Sequence, residues 1–261
     1  MKIEYISASR LNKYIMCPFA YYLTYEKGLK DEAGPAARKG KVFHEVMENG
    51  ISGKIDIFSK KEVDILLLEL YNRIGNELSK EDQEECSGWV QKFILSDDFA
   101  SVMQMDNKTV ETPFRLTVDA SMTISEGFSD DESLLKMHGF IDFMGDLSEK
   151  TLEVIDWKTG KGMKKFDELN TNDCQIRIYD LVASFLHPDK NVINTMYYLR
   201  KSPITLAFTD LQRINTIKYL YRYYNEIRNN NSPDRKKSWK CNRFCIGREK
   251  CDEYWKEKRS E

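Results

Sequence analysis

The sequence predicts an α/β core with helical additions, and three observations carry that reading. Apolar residues recur at helical spacing through most of the first hundred residues. Segments rich in Val, Thr, Phe and Ile then dominate residues 110–158, as strands do. A helix, a strand and a long helix follow, before a short cysteine-bearing tail.

The elements can be justified in order. Ser7-Ala8-Ser9-Arg10-Leu11 opens like a capped helix, with Leu11, Tyr14 and Ile15 on one face, and Pro18 ends or kinks it. Residues 28–40 read as a loop and 41–49 as a helix. Between residues 60 and 78, Val63, Leu67, Leu70, Tyr71, Ile74 and Leu78 form one apolar stripe, an amphipathic helix. Residues 81–95, bearing Trp89 and Phe93, form another. Residues 110–124 are strand-like. The runs 137–144 and 151–158, separated by the turn-forming stretch 145–150, predict a hairpin. Residues 173–186 read as a helix and 191–199 as a strand. Thr209 and Gln212 form a capping box that opens a long helix over 209–228. Residues 229–233 read as a linker, and no internal repeat is evident.

At 261 residues the chain suits a single large domain, residues 1–261. Its helical lobe spans about 41–100, its α/β core about 108–230 and its tail about 235–261. Hydrophobic residues at 41% and charged residues at 31% give an ordinary globular balance. The net charge of −2 excludes a general basic coat, so any nucleic-acid contact needs a local patch. Arg235-Lys236-Lys237-Ser238-Trp239-Lys240 is the basic cluster visible in sequence, readable equally as a phosphate contact or a solvated run. No apolar core follows Met1-Lys2-Ile3-Glu4-Tyr5, and no run approaches the roughly 18 apolar residues of a membrane span. The expectation is a soluble intracellular protein with no membrane partner. In a reducing compartment its six cysteines point to metal rather than disulfides.

Asp142, Asp156 and Lys158 carry the chemistry. A hairpin brings the two aspartates to one end of the sheet, and Lys158 projects to the same face as Asp156 because strand side chains alternate. An Asp-x-Lys by itself is common on surface strands. Here both acids sit in apolar runs, where an unpaired carboxylate is costly. Oxygen ligands of this kind suit Mg²⁺ or Mn²⁺, which bind a phosphate oxygen and acidify water. A neighbouring ammonium orients the water or stabilises developing negative charge. That is phosphodiester hydrolysis chemistry.

The cysteines form a second constellation. Cys241, Cys245 and Cys251 fall within eleven residues, and Cys17 stands alone near the amino terminus. Four thiolates suit Zn²⁺ or a [4Fe–4S] cluster, and the triplet by itself favours zinc. Cys86 and Cys174 read as small buried residues.

Gly139-Phe140-Ile141-Asp142, Val154-Ile155-Asp156-Trp157-Lys158-Thr159-Gly160 and Gln175-x-x-x-Tyr179 resemble successive motifs of the PD-(D/E)XK nuclease superfamily. The nearest branch is the RecB-like nucleases with an iron–sulfur cluster, which include the AddB nuclease domain and small CRISPR-associated nucleases. Gly40-Lys41-Val42-Phe43-His44-Glu45-Val46-Met47-Glu48 resembles that branch's helical histidine motif. Ser7-Ala8-Ser9-Arg10-Leu11-Asn12-Lys13-Tyr14-x-x-Cys17-Pro18 is similar to its opening, so the motifs run from residue 7 to residue 251.

The resemblance implies a restriction-endonuclease-like core, a central mixed β-sheet flanked by helices, with an N-terminal helical lobe and a C-terminal cysteine-cluster tail. It implies His44, Asp142, Asp156 and the Trp157 carbonyl as ligands of Mg²⁺ or Mn²⁺, and Lys158 as the catalytic lysine. Gln175 and Tyr179, one helical turn apart, would steer DNA or brace the site, with Glu111 an auxiliary acid. Without the resemblance, His44 reads as a structural histidine, and Gln175 and Tyr179 as helix-surface and core residues.

The resemblance also implies a [4Fe–4S] cluster on Cys17, Cys241, Cys245 and Cys251 that staples the chain ends. The family triplet usually begins Cys-x-x-Cys, whereas three residues separate Cys241 from Cys245, which leaves Zn²⁺ as the alternative.

The implied activity is a DNA exonuclease for single-stranded or frayed ends, in recombination or repair. The alternative is a DNA-end-binding component of a recombination or CRISPR-adaptation complex with weak or partner-dependent cleavage. With no Gly-x-x-x-x-Gly-Lys-Ser/Thr motif present, a helicase or recombinase partner would be separately encoded, in a bacterial, archaeal or phage-infected cytoplasm. Tyr219, Tyr221, Tyr223 and Tyr224 offer either a stacking surface for unpaired bases or core packing. His138 and His187 read as structural.

Overall fold

The computed structural model describes residues 1–29, 34–74, 78–238, 241, 245 and 251–260. Helix α1 (Ala8–Met16) begins where the Ser7 hydroxyl accepts the Arg10 N–H at 3.2 Å. Pro18 does more than end it. Cys17 is extended and Pro18 enters the first turn of a second helix, α2 (Pro18–Tyr25), where the missing N–H leaves nothing unsatisfied.

Helix α3 (Pro35–Ile51) also starts on a proline, six residues before the expected residue 41. Gly34, Pro35 and Gly40 look like loop signals, yet Ala36, Ala37, Arg38 and Lys39 are strong helix formers. Residues 30–33 of the expected loop lie outside the described residues. Helix α4 (Lys60–Ile74) buries Val63, Leu67, Leu70 and Tyr71, four residues of the stripe read from sequence. Helix α5 (Lys80–Ile94) starts on a Ser79 cap. Helix α6 (Asp97–Gln104) was not anticipated, since two turns carry too few apolar repeats to stand out; a Ser96 cap and buried Phe99 and Val102 hold it.

Strand β1 (Asp106–Val118) and the short β2 (Ile124–Glu126) divide the stretch read as one strand. Strand β3 (Leu135–Ser148) and strand β4 (Thr151–Lys158) form the expected antiparallel hairpin. Its turn is tighter than the sequence suggested, because β3 runs on to Ser148 through a register shift at Asp146. Helices α7 (Phe166–Asn172) and α8 (Cys174–Leu186) then lead to strand β5 (Asn191–Tyr198), which pairs parallel with β4 along its whole length. A parallel neighbour demands a crossover, and α7 with α8 supplies it. Strand β6 (Ile204–Leu206) adds an antiparallel edge, giving the mixed order β2-β1-β3-β4-β5-β6. Helix α9 (Asp210–Asn229) opens on the Thr209/Gln212 box, each backbone N–H bonded to the other side chain at 2.9 and 3.3 Å. Helix α10 (Cys251–Ser260) closes the chain.

The chain divides into two compact units, Met1–Glu32, Arg115–Gly139 and Ile214–Glu261 on the one hand, and Ala33–Phe114 with Phe140–Arg213 on the other. In the first, the tyrosine run of α9 packs rather than presenting open faces. Tyr224 is buried and donates to the Glu132 carbonyl, Tyr221 donates to the Val118 carbonyl, and Tyr223 meets Tyr14 edge-on. In the second, α3, α4, α5 and α6 share one apolar core with Phe143, Ile155 and Trp157 of the sheet. Cys86 and Cys174 are buried there as expected. Among the described residues, no helix is long and apolar enough to cross a membrane.

Candidate active site

The antiparallel register pairs Phe143 with Ile155, so Asp142 and Asp156 lie one residue further along each strand, opposite one another. Opposed residues share a sheet face. Both carboxylates are buried, Asp142 at 8% and Asp156 at 2% exposure. Burial first, and then the Asp156 charge, push the Asp142 carboxyl well above its ordinary range, and His44 and Lys158 offset this only in part. Two desolvated acids cannot both ionise cheaply without a positive charge between them.

His44 arrives from α3, whose Phe43, Val46 and Met47 are sunk in the core. Gly40, one turn earlier, allows the approach: a Cβ there would stand 3.0 Å from the Thr159 hydroxyl, just beyond Lys158. The His44 Nε2 lies 3.0 Å from the Trp157 carbonyl, and Nδ1 lies 3.4 Å from Asp142 and 3.8 Å from Glu111. Burial alone would lower the imidazole pKa. The Glu111 hydrogen bond, the Asp142 and Asp156 charges and the Trp157 carbonyl outweigh it, so the pKa is raised. His44, Glu111 and Asp142 each place one ligand atom within 4.8 Å of the others.

Glu111, read from sequence as an auxiliary acid, places its carboxylate in this trio. Its backbone has φ of 45°, the left-handed region that costs a non-glycine residue about 1–2 kcal/mol. That strain sits in the middle of β1, at the residue whose carboxylate completes the trio.

Lys158 lies 2.5 Å from Asp156 and donates to the Gln175 side-chain oxygen at 3.0 Å. Burial works against its charge, but Asp156 more than compensates and its pKa is raised. The Gln175 amide nitrogen donates to Asp156 at 3.2 Å and to the Tyr179 hydroxyl at 3.0 Å. One side chain thereby ties acid, lysine and tyrosine together. Asp173 sets its position by capping α8, accepting the Gln175 and Ile176 N–H groups at 2.9 and 3.1 Å. Lys164 in turn pairs with Asp173, a contact the sequence reading missed and that nothing in local spacing betrays. The Trp157 ring turns away from the acids and packs against Phe93 and Phe143.

The donor set fits a divalent cation. Oxygen and imidazole ligands converge, and among the described residues the buried Asp142 Oδ2 has the His44 Nδ1 at 3.4 Å but no well-aligned hydrogen bond. Both basic groups facing the acids hold their protons more tightly than usual, because the acids stabilise positive charge beside them.

The four cysteines assigned to a cluster also come together. Cys17, Cys241, Cys245 and Cys251 line one cavity of about 280 Å³, with Phe19, Leu23 and Arg235. Backbone N–H groups of Lys236 and Ser238 donate to Cys17 and Cys241 sulfur, each at 3.3 Å. Hydrogen bonds to cysteine sulfur of this kind are among the interactions that surround bound clusters. The residues between these cysteines in the triplet, and Trp239 and Lys240 of the basic run, lie outside the described residues.

Neighbouring strands thus present two acids and a lysine, faced by a helical histidine. The chain belongs to the PD-(D/E)XK nuclease superfamily, which it matches over residues 5–252. It is similar to an ATP-dependent helicase/deoxyribonuclease subunit of Clostridium perfringens strains SM101 and 13, at 26% identity over 242 residues in each. That match covers 79% of this chain but 20% of the relatives, so the chain spans about a fifth of their length. Among solved structures it is similar to a Eubacterium rectale protein described as a candidate exonuclease, with a TM-score of 0.54 and 13% identity. The match covers 89% of this chain and 84% of that one, a likeness of fold.

Proposed function

We propose that this chain is a divalent-cation-dependent DNA nuclease, acting as an exonuclease on single-stranded or frayed ends. The observation that carries the reading is the buried Asp142–Asp156 pair, linked through Gln175 to a charged Lys158 and faced by His44. His44, Asp142, Asp156 and the Trp157 carbonyl would hold Mg²⁺ or Mn²⁺, and Glu111 joins them as a ligand on the strength of its position. When bound there, such a cation would supply Lewis acidity at a phosphate and acidify a water. Lys158 contributes a fixed positive charge where negative charge develops, and it orients the attacking water. Gln175 holds that ammonium against Asp156, and Tyr179 braces Gln175 in turn.

DNA as substrate follows the activity named for the Clostridium relatives, which are helicase/deoxyribonuclease subunits. A helicase or recombinase that delivers unwound ends is the matching partner. For the second site, a [4Fe–4S] cluster on Cys17, Cys241, Cys245 and Cys251 accounts for four soft ligands around one cavity, with Zn²⁺ as the competing occupant. Iron, acid-labile sulfide and zinc content of the purified protein decide between them.

The nuclease reading is tested with end-labelled DNA, single-stranded and duplex, in Mg²⁺, Mn²⁺ or chelator. Stepwise shortening of single strands that needs the cation, and is lost in Asp156→Ala and Lys158→Ala, is the expected result. Cleavage that persists in both variants overturns the site. Tight end binding with no cleavage in any cation favours the end-binding alternative.

A further inference from the structure

The unit formed by Met1–Glu32, Arg115–Gly139 and Ile214–Glu261 contains a cavity of about 720 Å³ that the proposed reaction does not use. That is the size range of small-molecule sites. On β3, Lys136 and His138 alternate with the buried Leu135 and Met137, so they share an outward face. On β1, Arg115 is exposed between the buried Phe114 and Leu116. Two aromatic rings border this face. Tyr5 and Phe128 are stacked with centroids 6.0 Å apart, and His138 meets both edge-on, at 5.1 and 6.4 Å.

The segment bearing Tyr5 is not loose. Ile6 donates to the Lys136 carbonyl at 2.7 Å and accepts the His138 N–H at 3.0 Å, a parallel bridge onto β3. The cations use aromatic faces: Arg115 lies over Phe128 at 5.6 Å and Arg228 over Tyr224 at 5.6 Å. Around the cavity, Lys2, Arg115, Lys136 and Arg228 stand against Glu4 and Glu132, a local positive excess on a chain whose net charge is −2. Asp131 is not part of the lining. Its pKa is lowered by Ser133 first and then by Lys136 and Arg228, so a phosphate here would compete with it.

Arg10 also lies over the Tyr5 ring at 4.0 Å, so both rings already hold guanidinium groups that a base could replace and a phosphate could retain, a match for a polymer of flat bases and phosphates. We infer that this cavity binds single-stranded nucleic acid, with bases against Tyr5 and Phe128 and phosphates at Arg115, Lys136 and Arg228. The site supplies the local patch that the overall charge demands, from residues too scattered in sequence to resemble one. It would hold a strand whether or not that strand is cut.

The test uses the full chain in chelator, so that cleavage plays no part. Affinity for a fluorescent oligothymidylate is read by anisotropy, and contacts are mapped by photo-crosslinking a 5-iododeoxyuridine oligonucleotide. Phe128→Ala should weaken binding about tenfold. The Arg115→Ala/Lys136→Ala pair should lower the salt slope of log K by about 1.4, two phosphates' worth for a single strand. Cross-links should fall on Tyr5 or Phe128, with far-UV circular dichroism unchanged in every variant. Unaltered affinity and slope, or cross-links confined to residues 33–114 and 140–213, overturn the inference. Binding here by a protein that never cuts DNA would sink the nuclease reading alone.

Discussion

The acidic site and the cysteine cavity hold their chemical groups in opposite ways. Asp142, Asp156 and Lys158 ride on paired strands, and His44 and Gln175 on helices capped or packed at several points. Their positions follow from strand register and helix packing, and burial beside Asp156 pushes the Asp142 carboxyl up. The cysteines ride on chain ends. Cys17 is an extended residue between two helices, and Cys251 begins the last helix. Trp255 meets Phe19 edge-on at 5.1 Å, and Arg235 pairs with Asp252. Those contacts gather the thiols, but only a few apolar residues reinforce them. Rigid elements that hold like charges together give up stability to do so, whereas a proposed clip of distant cysteines would gain stability from the metal or cluster it holds.

That contrast can be broken most directly at Lys158. Lys158→Ala should reduce DNA turnover by about 10²–10³-fold, the scale of losing one fixed electrostatic donor, and Asp156→Ala at least as much. Far-UV circular dichroism of both should match the parent, since rigid elements carry these residues. Gross unfolding of either would contradict a preformed site.

Cys245→Ser probes the other half. It should abolish the visible absorption and bound iron of the purified protein and lower its melting temperature, with much of the protein becoming insoluble. An unchanged melt would refute the stapling role.

Gln175→Ala should be milder. It strips one donor from Asp156 and one acceptor from Lys158, and unmade buried hydrogen bonds of about 1–3 kcal/mol translate to roughly 5–150-fold in rate. Steady-state kinetics should show the loss in kcat, with KM changed less.

The smallest and most diagnostic effect is expected from Asp142→Asn. Because the folded pKa of Asp142 lies above its unfolded value, the folded state keeps a proton that the unfolded chain releases. Its contribution to metal-free stability is therefore favourable below the unfolded pKa and is lost as pH rises through the folded one. At neutral pH the asparagine variant should melt at a higher temperature than the parent in chelator, and Mn²⁺ should stabilise the parent but not the variant. A lower melting temperature in chelator would mean that the acid pair is not under strain.

Much of this architecture was visible in local sequence. The Thr209/Gln212 box, the stripe of Val63, Leu67, Leu70 and Tyr71, and the hairpin of β3 and β4 each depend on neighbours within a few residues. Helices α2, α6 and α7 and strand β6 were not, because elements of three to eight residues repeat their period too few times to stand out from turn and loop residues. The early start of α3 was hidden by Gly34 and Gly40, residues that punctuate chains elsewhere; here Gly34 caps the helix and Gly40 permits the close approach to Thr159.

For the site itself, strand alternation alone determined that Asp156 and Lys158 share a face, and the short turn brought Asp142 opposite. Convergence of His44 on the Trp157 carbonyl, 113 residues away, was decided only when α3 packed into the core. The left-handed backbone of Glu111 and the bridging role of Gln175 were likewise tertiary outcomes. Periodicity is a property of adjacent residues and can be read along a chain. The meeting of distant side chains depends on the path between them, which hydrophobic burial selects as a whole.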